Sequence, residues 1–157
     1  MRPIKLRTWD NERKVMVYEF DVNFDENPTA YVLLTKDDNS IFCGNYLDNG
    51  DWQELEVMQS TCIKNKDGIE EWEGDIYKRI LDKKNRFPTK KYQWADYWLI
   101  EWLPESACFT TTHIGEEESN GFKRSNNIKR NSFSQRFNEM DVHIGNIYEN
   151  IELIKWL

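Results

Sequence analysis

The chain has 157 residues and a formal charge of −7, and 31% of its residues are charged. That length fits one domain able to bury roughly two-thirds of the surface its unfolded chain exposes. No run approaches the roughly 20 apolar residues of a membrane span, and no signal-length apolar stretch follows Met1-Arg2-Pro3-Ile4-Lys5, so a cytoplasmic protein without membrane contact is expected.

Seven Trp, seven Tyr and eight Phe concentrate burial capacity in few positions. Cys43, Cys62 and Cys108 are odd in number and widely spaced, which fits buried reduced thiols and no bridges. The charge is unevenly placed. Residues 19–58 hold ten acids and one base, residues 78–91 seven bases and one acid, and residues 119–138 five bases and no acid.

In chain order, Ile4 to Trp9 alternates apolar and polar, and Val15 to Tyr18 follows a polar stretch, which predicts a hairpin. Ala30 to Leu34 predicts a strand buried on both faces, joined through a turn at Asp37 to Ser40 to a strand at Ile41 to Cys43. Asn49-Gly50 and Asp67-Gly68 mark tight turns. From Gln93 to Leu103, Trp94, Trp98, Ile100 and Trp102 line one side and Tyr97, Leu99 and Leu103 the other, as a central strand would. Ala107 to Ile114 is its expected antiparallel neighbour, after a turn at Pro104-Glu105-Ser106. Glu116 to Arg130 reads as a polar loop, Phe133, Phe137 and Met140 as one face of a short helix, and Asn150 as the cap of a last turn packing Leu153, Ile154 and Leu157.

Two tetrapeptides nearly repeat: Gly74-Asp75-Ile76-Tyr77 and Gly145-Asn146-Ile147-Tyr148. Both read as a strand entered from a turn, with Glu73, Gly74 and Asp75, and again Gly145 and Asn146, as structural turn residues. The expected fold is mainly β: antiparallel strands, short helices at most, and a small SH3-like barrel-type sheet in the C-terminal half. One domain over 1–157 is expected, with sub-lobes at 1–60 and 70–150.

Three blocks carry a resemblance. They are Arg2-Pro3-Ile4-Lys5-Leu6-Arg7-Thr8-Trp9-Asp10 with Met16 and Tyr18, the run from Val57 to Ile76 containing Asp67-Gly68-Ile69-Glu70-Glu71-Trp72-Glu73-Gly74-Asp75, and Val142-His143-Ile144-Gly145-Asn146-Ile147-Tyr148-Glu149-Asn150. In this order they resemble the YopX family of small proteins encoded by bacteriophages and prophages. Ser60, Cys62, Trp72 and Ile151 stand where that family has Tyr, Gly, Tyr and Pro. The resemblance implies a mostly-β fold and a phage or prophage setting, and it carries no activity.

The usual catalytic patterns are absent: no phosphate loop, no Gly-x-Ser-x-Gly, no His-Glu-x-x-His and no Cys-x-x-Cys. A His with Ser132 or Ser134 and some acid makes a nucleophilic set only on paper, and His143 is expected to point outward. Cys43, Cys62, Cys108 and His113 lack the paired spacings of structural zinc, so no metal, cofactor or enzymatic activity is expected, and His113 reads as a surface imidazole. Glu73 and Asp75 could share a strand face as a carboxylate pair, but a turn lock is the stronger reading for Asp75.

A protein-interaction or self-associating module is the expected function, its partner a second copy or an unknown phage or host protein. The alternative is nucleic-acid binding through loops 78–94 and 119–138. There Lys83, Lys84, Arg86, Lys90 and Lys91 adjoin Phe87 and Tyr92, and Lys123, Arg124, Lys129 and Arg130 follow Phe122.

Overall fold

The structure is a computed structural model that describes residues 4–18, 20, 31–35, 41–47, 49–83, 92–118, 121–124, 130–132 and 141–154. It is mainly β, as the alternation and turn residues predict, and none of its helices is long and apolar enough to cross a membrane. The chain forms two compact units, Met1–Ser60 and Thr61–Leu157.

In the first unit, β1 (Leu6–Asp10) and β2 (Val15–Val17) form the expected hairpin, with Asp10 opposite Val15. The start of β6 (Val57–Lys64) pairs on the other side of β1, Thr8 opposite Val57. β3 (Val32–Thr35), β4 (Ile41–Tyr46) and β5 (Trp52–Leu55) make a separate antiparallel sheet in that order. The run predicted to be buried on both faces is the edge strand β3, where only Val32 is fully buried, because an edge strand packs fewer neighbours. The turn expected at Asp37 to Ser40 lies outside the described residues.

Asp10 is fully buried and ties the hairpin together. Its carboxylate accepts the Glu12 and Arg13 amides at 2.8 Å each, an Arg13 Nη1–H at 3.0 Å and the Tyr31 hydroxyl at 2.5 Å. Burial alone would raise its pKa, but these donors more than offset burial and hold it below the usual carboxylate range. Cys43 is buried nearby in this unit, and desolvation pushes its thiol up to about 12, an inert side chain.

The second unit opens with the end of β6, which pairs with β7 (Glu70–Trp72) through a turn at Asp67-Gly68. Cys62 sits in β6 with φ 58, a left-handed backbone. This is the position at which the YopX resemblance has Gly, and a side chain there costs on the order of 1 kcal/mol relative to glycine. The main sheet runs β11 (Gly121–Arg124), β10 (Cys108–Glu118), β9 (Tyr92–Leu103), β8 (Asp75–Lys83), β13 (Asp141–Asn146), with β12 (Arg130–Ser132) also on β10. β9 is central and β10 follows a 3-10 turn at Pro104–Ser106, both as expected. The segment read as a polar loop from Glu116 to Arg130 is instead partly strand, because Glu116–Glu118 extend β10 and pair with β11.

The two apolar rows of β9 separate as predicted. Tyr97 and Leu99 pack with Ile76, Ala95 and Ile114 on one face, while Trp98 and Ile100 pack with Tyr77 and Phe109 on the other. At the end of the described chain, α1 spans Ile151–Ile154. Asn150 does not cap it. Its Oδ1 turns back to accept the Asn146 amide at 3.1 Å, which makes it the closing bond of the preceding turn. The predicted helix over Phe133 to Met140 lies outside the described residues.

Candidate functional site

The second face of the main sheet carries the chain's chemistry. Register places His143 of β13 opposite Tyr77 of β8, Tyr77 opposite Trp98 of β9, and Trp98 opposite His113 of β10. Cross-strand partners share a face, so the four rings form one row across four strands. The outer rings meet the inner ones at an angle, edge to face for Tyr77 and His143 with centroids 5.3 Å apart, and tilted for Trp98 and His113 at 5.0 Å. Both histidines of the protein therefore end one row.

Each histidine stands at a register shift, between His113 and Gly115 in β10 and between His143 and Gly145 in β13. In a regular strand, residues three apart point to opposite faces. One extra residue at the shift brings Glu116 to the face of His113, directly opposite Asp96. The same device in β13 sets Asn146 opposite Asp75. The two ends of the row thus repeat one arrangement: Asp75, His143 and Asn146 at one, Asp96, His113 and Glu116 at the other. The sequence carries this as Asp-x-aromatic at Asp75-Ile76-Tyr77 and Asp96-Tyr97-Trp98, and as His-Ile-Gly at 113–115 and 143–145.

The first end is closed by the protein's own groups. Asp75 is buried, and its Oδ2 accepts the Trp72 amide at 2.9 Å and lies 3.5 Å from His143 Nε2. Asn146 Oδ1 accepts the Tyr148 and Glu149 amides at 3.0 Å each, and its Nδ2 donates to Glu149 at 2.7 Å. Gly74 (φ 83) and Gly145 (φ 130) take left-handed backbones, and a Cβ on Gly145 would lie 1.7 Å from Asn150 Oδ1.

Asp75 thus bonds an amide of the turn that precedes it, and the reading of the second tetrapeptide is corrected. Gly145-Asn146 ends β13 instead of starting a strand, since an Asn side chain serves amides downstream as readily as Asp75 serves one upstream. The two tetrapeptides lie side by side, with Ile147 N–H donating to Gly74 O at 2.9 Å. Glu73 is on the turn and lines an open groove with Leu99, Glu101, Trp102 and Ile147.

Behind Asp75 lies Glu71, also fully buried, which accepts the Tyr77 hydroxyl at 2.9 Å through Oε1. Its Oε2 has no hydrogen-bond partner among the described residues. Desolvation, with Asp75 adding to it, raises the Glu71 pKa to about 7, and desolvation likewise raises that of Tyr77.

At the other end, His113 is buried and its Nε2 lies 3.8 Å from Asp96 Oδ1 and 3.9 Å from Glu116 Oε1, with both carboxylates partly exposed. Between the ends, Arg79 donates through Nε and Nη2 to both oxygens of buried Asp141, at 2.6 and 2.7 Å, and its guanidinium carbon lies 5.5 Å from the Trp98 ring centre.

Two histidine readings are therefore corrected. His113 is a buried imidazole against Trp98, and His143 is partly buried against Tyr77, because the face on which both lie is itself packed with aromatic rings. Cys108 is exposed and Cys62 half-buried, so the thiols are not uniformly buried. Ser132 is on β12, which pairs with β10, the strand of His113, and is four strands along the sheet from β13, the strand of His143, while Ser134 lies outside the described residues.

Of the basic residues, Lys84, Arg86, Lys90, Lys91 and Lys129 lie outside the described residues. Lys83 ends β8, Lys123 and Arg124 are on β11, and Arg130 begins β12. Lys83 pairs with Tyr92 where β8 ends and β9 begins, whereas Lys123, Arg124 and Arg130 pair with Glu116, Gly115 and Thr112, progressively farther along β10 from that end.

Fold and face together define an antiparallel β protein with a histidine-terminated aromatic row between two carboxylate clusters. The family model described as YopX protein matches residues 5–155, and the chain belongs to that family. Among curated proteins none matches. The crystal structure of protein EF1440 from Enterococcus faecalis is similar at 21% identity and a TM-score of 0.47, covering 98% of this chain and 99% of that one.

Proposed function

We propose that this is a non-catalytic interaction protein of phage or prophage origin that works in the bacterial cytoplasm by associating, through complementary charge, with a second copy or with a phage or host protein. The observation that supports it is how the charge divides between the two units. The first unit has twelve acids against six bases, while the second has sixteen acids and fifteen bases and contains both strongly basic segments. A strongly acidic unit and basic segments held in the other unit of the same chain suit a head-to-tail contact between copies. The Debye length shrinks from about 10 Å at 0.1 M salt to about 3 Å at 1 M, so such a contact is salt-sensitive. Light scattering on the full chain is expected to give a mass above the monomer at low salt and the monomer at high salt. A monomer under both conditions removes self-association, and failure to capture a phage or host protein from an infected cell would then remove the reading.

Nucleic-acid binding is the second reading, supported by the two basic segments, 78–91 and 119–138, whose bases adjoin Phe87, Tyr92 and Phe122 in the sequence. Single-stranded oligonucleotides should then be retained at low salt and released as salt rises. No retention at low salt ends that reading.

A further inference from the structure

We propose that Asp96, His113 and Glu116 form a binding site for a divalent transition-metal ion, independent of the association proposed above. Each of the three offers one ligand atom, and all these atoms lie within 4.8 Å of one another. One imidazole nitrogen and two carboxylate oxygens are a donor set suited to Zn²⁺ or Mn²⁺, and the two negative charges match the ion's two positive ones. At metal–ligand distances of about 2.1 Å, tetrahedral ligand atoms stand about 3.4 Å apart. The observed separations of 3.8 and 3.9 Å from Nε2 need only a small inward movement. Glu116 and Asp96 are the more exposed members, so this movement falls on the carboxylates and leaves the buried imidazole in place.

Two further features single this cluster out. The register shift after His113 has the local effect of turning Glu116 onto the face of His113 and Asp96, where a regular strand would point it away. The fold also contains an internal comparison. At the other end of the ring row the same Asp–His arrangement carries Asn146 in place of Glu116, and there Asp75 and Asn146 are engaged by backbone amides. The copy with Asn146 holds its turns through backbone amides, whereas the copy with a second carboxylate opens toward solvent. Trp98 packs against the His113 ring and fixes its plane, and Arg79, which feels the charge of Asp96, is held by both oxygens of Asp141. Ordered packing behind the ligands and solvent in front leave the remaining coordination positions to water.

The test is equilibrium dialysis of the full-length chain against Zn²⁺ and, separately, Mn²⁺, which thiols do not favour. The expected result is one ion per chain for both metals, with affinity weakened at least about tenfold in Glu116→Gln, a half-exposed position where the isosteric amide preserves folding. Cys108→Ser should bind as the parent does. No uptake by the parent chain, uptake unchanged in Glu116→Gln, or zinc uptake lost only in Cys108→Ser would overturn the assignment.

Discussion

Replacing Glu71 by glutamine is expected to make the second unit more stable at pH 8 and to remove part of its loss of stability between pH 5 and pH 8. The folded pKa of about 7 lies above the ordinary carboxylate value of 4.5. The folded state therefore binds more protons than the unfolded chain between those values, and stability falls as pH rises through that window. The contribution is complete below about pH 4.5 and gone above about pH 7. A shift of this size corresponds to about 3 kcal/mol between the two limits. Glutamine keeps an acceptor for the Tyr77 hydroxyl and carries no charge to bury. Urea unfolding of both proteins at pH 5 and pH 8 checks this through the difference between them, since other groups titrate in both. Parallel pH profiles for parent and variant would show that Glu71 is not held in its neutral form.

The second large effect is expected at Asp75. Asp75→Ala should destabilise the second unit by about 3 kcal/mol, because it leaves the buried Trp72 amide without its acceptor and removes the carboxylate beside His143. Asp75→Asn keeps an acceptor and should cost less. The two predictions are linked. The charge of Asp75 is one of the causes that raise the Glu71 pKa, so Asp75→Asn should also lower that pKa and narrow the window of stability loss from its high-pH side. Thermal melts of both variants at pH 6 distinguish them, and an Asp75→Ala protein as stable as its parent would contradict the turn-lock role.

Much of the fold is legible in the residues. The β1–β2 hairpin follows from alternation, β9 from its two apolar rows, and the Asp67-Gly68 turn from the left-handed tolerance of those residues. β11 is not legible, because Gly121-Phe122-Lys123-Arg124 has the polarity of a loop and becomes a strand only by pairing with β10. The edge position of β3 is hidden for the same reason: an apolar run records burial and says nothing of how many neighbours a strand has.

For the site, Asp75 and Gly74 were readable as turn chemistry, but the meaning of the histidines was not. Period two does set His143 on the face opposite Ile144, but that face carries a second packed cluster, Tyr77 and Trp98, so the position is not outward. The signal that could have found the row is the repeated His-Ile-Gly, paired with two Asp-x-aromatic segments. The near-repeat of Gly74 to Tyr77 at Gly145 to Tyr148 reports the backbone turns and carries no information about the ring row.

The central claim is that one scaffold carries two Asp–His arrangements, of which one is closed by the protein and the other takes a metal ion. Two histidines per chain make this directly visible in a long-range ¹H–¹⁵N NMR spectrum of the imidazole rings during zinc titration. The account predicts that the His113 ring nitrogens shift while those of His143 stay in place. Movement of both rings, or of neither, would contradict it.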